Sequence, residues 1–167
     1  MSATIDTLAA RLGERLQQLT AQVTTAESCT GGGIAEAITR IAGSSAWFET
    51  GFVTYSNAQK THLLGVPHDL FNRVGAVSRE VVEAMVRGAQ RTSGAHYGVA
   101  VSGVAGPGGG SPEKPVGTVW LAWAAGEQVV ARRFQFGADR QAVREQSVEV
   151  ALVGLIRLAA GENPFEG

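Results

Sequence analysis

Val23-Thr24-Thr25-Ala26-Glu27-Ser28-Cys29-Thr30-Gly31-Gly32-Gly33-Ile34 decides the fold. It opens with a short β-branched run, which predicts a strand. It then passes through a turn of three glycines into Ile34, Ala35, Ile38 and Ile41, whose spacing predicts a helix with Gly43 as its C-cap. A strand followed at once by a helix is the repeating unit of layered α/β proteins. Ser28 lies at the junction, where open α/β sheets place their ligands.

Working outward, Ile5, Leu8, Ala9, Leu12, Leu16 and Leu19 predict an amphipathic helix over 4–19. Residues 47–55 predict a second strand, interrupted near Gly51, followed by a short helix over 57–64 closed by Gly65 and Pro67. Residues 69–75 form a short element or loop. Ser78 is the expected N-cap of a helix carrying Val81, Val82, Met85, Val86 and Ala89. Residues 97–101 predict a strand buried on both faces. Strands over 116–125 and 128–136 are joined at Gly126-Glu127, the two-residue connection of a hairpin. Ala138 or Asp139 opens a last helix through Leu158. The hairpin excludes an all-parallel sheet, so the expectation is α/β with a mixed sheet, in one domain over 1–167.

Composition narrows the function. An apolar share of 44% and a charged share of 17% suit a soluble globular chain. The net charge of -1 gives no basic footprint for nucleic acid. No apolar run approaches the ~20 residues of a membrane span, and Arg11, Glu14 and Arg15 interrupt the first apolar stretch where a signal peptide would need one. Cytoplasmic placement is therefore expected. Cys29 is the only cysteine, and His62, His68 and His96 show no ligand spacing, so neither a metal nor another cofactor is expected.

Ser28 has two readings. It or Thr30 caps the following helix, or it is a nucleophile whose oxyanion is received by that helix's first amides. Cys29 is the alternative nucleophile, by the lowered pKa of a thiol before a helix N-terminus, against the commoner reading of a small buried hydrophobe. A serine nucleophile without a placed histidine needs another base, and Lys60, just beyond Tyr55, is the candidate. An ordinary lysine is neutral in only about 1 of 2,500 molecules at pH 7. A working base requires its pKa to fall to near neutrality, a cost of about 4 kcal/mol that burial or a nearby cation must supply. Tyr55 could then orient Lys60 or pass its proton; the plainer reading is a surface lysine. The glycine- and proline-rich stretch from Ser102 leaves the end of a buried strand and exposes amides suited to an anion. Arg140 and Arg144 share a helix face, and either is a candidate for phosphate.

Several segments together resemble one family. They are Thr25 to Gly32, Ile41-Ala42-Gly43-Ser44-Ser45, Gly51 to Asn57, Gly75-Ala76-Val77-Ser78, Ser102 to Pro107 and Lys114 to Val119. This pattern is similar to the C-terminal domain of the competence/damage-inducible protein CinA, the nicotinamide-nucleotide amidohydrolase family. It runs from about residue 5 to 160, and the chain resembles the family's stand-alone form. The resemblance implies a three-layer α/β/α sandwich, a homodimer or higher homo-oligomer, and no required metal. It implies hydrolysis of the carboxamide of nicotinamide mononucleotide to nicotinate mononucleotide and ammonia. The serine, tyrosine and lysine match Ser28, Tyr55 and Lys60. Thr30, Gly31, Gly32, Asn57, Ser102, Gly103, Ala105, Gly106 and Arg140 fall on the substrate side. The competing expectations are a non-catalytic nucleotide-binding module and an amidohydrolase of another small amide.

Overall fold

The computed structural model describes residues 2–165. Its elements are α1 (Ser2–Leu19), β1 (Val23–Glu27), α2 (Gly33–Thr39), a 3-10 turn (Ser44–Ala46), β2 (Phe48–Val53), α3 (Asn57–Leu64), α4 (Leu70–Arg73), α5 (Arg79–Ser93), β3 (Tyr97–Gly103), β4 (Thr118–Ala125), β5 (Gln128–Gln135) and α6 (Arg140–Ala159). The five strands form one sheet in the order β2-β1-β3-β4-β5. β1 is parallel to both β2 and β3, and the β3–β4 and β4–β5 pairs are antiparallel. The sheet is therefore mixed, as the hairpin required.

The two faces differ in the size of their side chains. Val99, Val101, Val119, Leu121 and Trp123 join Leu12, Leu16, Ile34, Ile38 and Leu152 in one core beneath α1, α2 and α6. On the other face Ala26, Ala100, Ala122 and Ala131 stand opposite one another across four strands, as a ladder of methyl groups. Such a shallow surface lets α5 lie close, with Val81, Val82, Met85, Val86 and Ala89 buried against it. α3 and α4 pack on α5 in turn. The result is the α/β/α sandwich.

The local signals mostly act where they were expected. Ser78 accepts from Val81 N, Asp139 accepts from Ala142 N, and Gly65 ends α3 in the left-handed region. Two expectations near β1 and β2 differ. α2 stops at Thr39, so Gly43 is not its C-cap but precedes the 3-10 turn. β2 is continuous but shorter than 47–55, and its irregularity is a shift of register against β1 between Val23 and Thr25. There Thr24 Oγ1 donates to Thr50 O at 2.8 Å. Of the two readings of residues 69–75, the short element holds, as the one-turn helix α4. Among the described residues no helix is long and apolar enough to cross a membrane.

Candidate active site

Successive side chains of a strand alternate between its faces. Ala26 belongs to the α5 side, so Glu27 falls beneath α2 and Ser28, just past the strand, turns toward α3. Ser28 N donates to Val101 O at 3.1 Å, tying the turn to β3, while Thr54 N donates to Glu27 O at 2.9 Å, tying it to the end of β2. α3 starts at the Ser56 cap, whose hydroxyl accepts from Gln59 N. Its fourth residue, Lys60, points inward and is only 2% exposed.

Lys60 Nζ donates to Ser28 Oγ at 3.0 Å and to Tyr55 O at 3.5 Å. No carboxylate pairs with Lys60 among the described residues. Burial accordingly lowers its pKa from the ordinary lysine value, because the ammonium loses water without gaining a counterion. Burial acts oppositely on Cys29, pushing its thiol up to about 11, and the neighbouring Glu27 charge adds to that. At pH 7 about 1 in 10,000 such thiols is ionised. Cys29 is thus the buried hydrophobe of the two sequence readings, not an activated nucleophile.

The turn after Ser28 departs from expectation. Neither Ser28 nor Thr30 caps α2. Gly31 and Gly32 hold left-handed backbone, with φ of 59° and 101°, and Gly32 stands at the N-cap position with no side chain to offer. The helix is capped from beneath by Glu27. Its Oε1 accepts from Ile34 N at 2.8 Å and from Thr30 Oγ1 at 2.6 Å, and its Oε2 accepts from Ala35 N at 2.9 Å. Burial raises the Glu27 pKa, and these hydrogen bonds, with a further one from Gly32, pull it back. The first amides of α2 therefore face Glu27 and not the space above Ser28.

Sequence reasoning missed Glu27. Its signal was parity: an acid in step with Val23 and Thr25 is directed into the α2 layer, where helix amides are the available donors.

A cavity of about 300 Å³ opens over Ser28 and Lys60. Ser102, Gly103, Ala105 and Gly106 form one wall, from the end of β3, and Asn57 and Tyr55 another. Ala76 and Val77, from the Gly75–Ser78 segment but not among the expected substrate-side residues, close a third. That wall is fastened to the glycine loop by Lys114, whose Nζ donates to Val74 O at 2.6 Å. Arg140 stands at the cavity too: Nη1 donates to Gly106 O and Nη2 to Tyr55 Oη, both at 2.8 Å. The phenol of Tyr55 is thus turned to Arg140, and it is the Tyr55 carbonyl that meets Lys60. Arg144 lies elsewhere, donating to Thr30 O at 3.2 Å and lining a separate groove with Thr30. Thr30, Gly31 and Gly32, expected on the substrate side, do not line the Ser28 cavity. The Thr30 hydroxyl is drawn inward by Glu27.

With this geometry in view, the CinA C-terminal domain matches residues 5–159. The chain belongs to that family. Among its relatives is the nicotinamide-nucleotide amidohydrolase PncC of Pseudomonas putida, 72% identical over 154 residues, which cover 92% of this chain and 96% of that protein. The protein of the same name from Escherichia coli K12 is 53% identical over 87% of this chain and 88% of its own length. Among solved structures, the competence/damage-inducible protein CihA of Agrobacterium tumefaciens superposes with a TM-score of 0.91 at 47% identity, covering 93% of this chain and 95% of that one. Members of the CinA family thus share this fold over nearly the whole chain.

Proposed function

We propose that this chain hydrolyses the carboxamide of nicotinamide mononucleotide to nicotinate mononucleotide and ammonia, with Ser28 as nucleophile and Lys60 as its base. The chain is an amidohydrolase by its likeness to the PncC proteins. The mononucleotide is the substrate their name points to. The observation that carries the mechanism is the 3.0 Å approach of a buried lysine, without a counterion, to Ser28 Oγ. A module that only bound nucleotides would have no use for it, since burying an unpaired ammonium is costly.

The steps use this chain's own groups. Lys60, as the free amine, takes the Ser28 proton while Oγ attacks the amide carbon. The oxyanion is received by main-chain amides, with the residue after the nucleophile, Cys29, supplying one and the Ala105–Gly106 segment offering others. The Lys60 ammonium returns its proton to the leaving nitrogen, and ammonia departs from an acyl-Ser28. Water, deprotonated by Lys60, attacks the ester, the acid is released and Ser28 regains its proton. Arg140, fixed by Tyr55 and Gly106, supplies the cation for the nucleotide phosphate.

Ammonia release from nicotinamide mononucleotide by the wild type and by Ser28→Ala tests this. A folded alanine variant with full activity would remove Ser28 from the mechanism. Release from another amide, with none from the mononucleotide, would move the substrate assignment. The homodimer implied by the resemblance is part of the same proposal, and sedimentation equilibrium tests it.

A further inference from the structure

Glu27 is the only carboxylate in the buried class among the described residues, and no step above uses it. No salt bridge among the described residues involves it. The hydrogen bonds its carboxylate accepts come from the turn and helix start that follow Ser28: Thr30 Oγ1, Ile34 N and Ala35 N, with a further one from Gly32. A helix N-terminus is more simply capped by Ser, Thr, Asp or Asn at the N-cap itself. Here that position is Gly32, and the cap is a buried acid from the strand below. The difference is that this acid also holds Thr30. The Thr30 carbonyl is held from the other side by Arg144 and by Gly33 N, and Gly31 N donates to the Ser28 carbonyl at 3.0 Å. The peptide units on both sides of Ser28 are thereby fixed relative to β1, while the Ser28 side chain is left free for Lys60.

We propose that Glu27, acting through Thr30, is a positioning residue that holds Ser28 Oγ in line with Lys60. This rests on the reading of Ser28 as nucleophile. A displacement of about 1 Å at a reacting atom costs on the order of 100-fold in rate, so loosening the turn lowers kcat. It leaves KM nearly unchanged, because Thr30 does not line the Ser28 cavity. The pH midpoint of the reaction also stays in place, since Glu27 is not among the groups acting on the Lys60 pKa.

The experiment compares Thr30→Val, Thr30→Ser and Glu27→Gln in the full chain. Thr30→Val, nearly isosteric, is expected to lose about 10- to 100-fold in kcat with KM within about twofold. Thr30→Ser, which restores the hydroxyl, recovers most of the loss. Glu27→Gln loses at least as much as Thr30→Val. Unchanged kcat in Thr30→Val overturns the proposal, and so does an equal loss in Thr30→Ser. A change confined to KM makes Thr30 a substrate contact, and a moved pH midpoint makes Glu27 an electrostatic partner of Lys60; either result also overturns it.

Amide hydrogen exchange over residues 28–35 reads the clamp without reference to any substrate. Faster exchange is expected in Glu27→Gln and Thr30→Val, and unchanged exchange in both rejects the clamp. If wild type releases no ammonia from nicotinamide mononucleotide, or Ser28→Ala keeps full activity, it is the proposed function that has failed, and exchange still decides whether the clamp exists.

Discussion

Lys60 Nζ meets Ser28 Oγ at 3.0 Å across 32 residues of chain. The contact is made by a strand end and a helix lying on the same face of the sheet. If the two act as one unit, their losses do not add. Ser28→Ala is expected to abolish ammonia release to near background. Lys60→Met should lower kcat by about 10²- to 10⁴-fold, the usual worth of a general base. The double variant should be no worse than Ser28→Ala alone. Single-turnover ammonia assays measure all three, and multiplicative losses in the double variant would mean that the residues act independently.

The same lysine sets a pH dependence. Burial lowers its pKa, so the amine that accepts the Ser28 proton appears at lower pH than on an ordinary lysine, whose value is 10.5. As pH rises, kcat/KM is therefore expected to rise through a single ionisation with a midpoint below 10.5. Lys60→Met should flatten that limb as well as lower it. A midpoint at or above the ordinary value in the wild type would assign the base elsewhere.

Stability carries the opposite face of this linkage. Between the folded and unfolded pKa values of Lys60 the unfolded chain binds more protons, so the lysine's contribution to stability improves as pH rises through that window. Below the folded value the full burial cost is felt. Lys60→Met removes the group and keeps an apolar stem. It should raise Tm near neutral pH, and its advantage over the wild type should shrink as pH approaches 10.5. Thermal unfolding of the two proteins at a series of pH values checks the sign, and an advantage that grew with pH would refute it.

The strand-turn-helix at Val23–Thr39 and the Gly126 hairpin were legible because their signals are local: side-chain period, glycine turns, and caps at Ser78 and Asp139. The address of Ser28 was legible for the same reason. What spacing could not show was which distant groups fill a given hydrogen-bond role. Thr30 looked like a cap or a ligand because hydroxyls before helices usually are, yet a buried acid three residues earlier claims it. Tyr55 looked like an aid to Lys60 because the two are close in sequence, but the helix cap at Ser56 separates their side chains and sends the phenol to Arg140. Arg140 and Arg144 were inseparable on one helix face. One helical turn is enough to put one in the Ser28 cavity and the other on the back of the turn.

Arg140 gives a prediction about binding rather than chemistry. Its guanidinium is fixed by Gly106 O and Tyr55 Oη, one on each terminal nitrogen. Charge-assisted hydrogen bonds are worth about 1.5–3 kcal/mol. Arg140→Ala should therefore raise KM for the mononucleotide by about 10- to 100-fold, while the corresponding riboside, lacking phosphate, changes less than about threefold. Arg140→Lys should recover only part of the loss, because an ammonium lacks the planar fork. Equal penalties on nucleotide and riboside would place the phosphate elsewhere.

The last prediction concerns what holds α3, and with it Lys60, in place. Gly88 lies in the middle of α5, where alanine would ordinarily favour the helix by about 1 kcal/mol. A Cβ at Gly88 would lie 1.9 Å from Leu64 O, 2.7 Å from Leu64 C and 2.8 Å from Leu64 Cα. All three are backbone atoms, so no rotamer change relieves the clash, and α3 must move away from α5. Overpacking of this kind costs about 1–3 kcal/mol, which outweighs the gain in helix propensity. Leu64 is one turn beyond Lys60 on the same buried face, so the displacement carries Nζ away from Ser28. Gly88→Ala is therefore expected to lower Tm by several degrees, roughly 2–8 °C, and to lower kcat by at least about 10-fold without a matching rise in KM. Gly137→Ala, where a Cβ meets nothing within 4 Å, is the control and should change neither quantity. Full kcat in Gly88→Ala would show that α3 can shift without disturbing the Ser28–Lys60 contact.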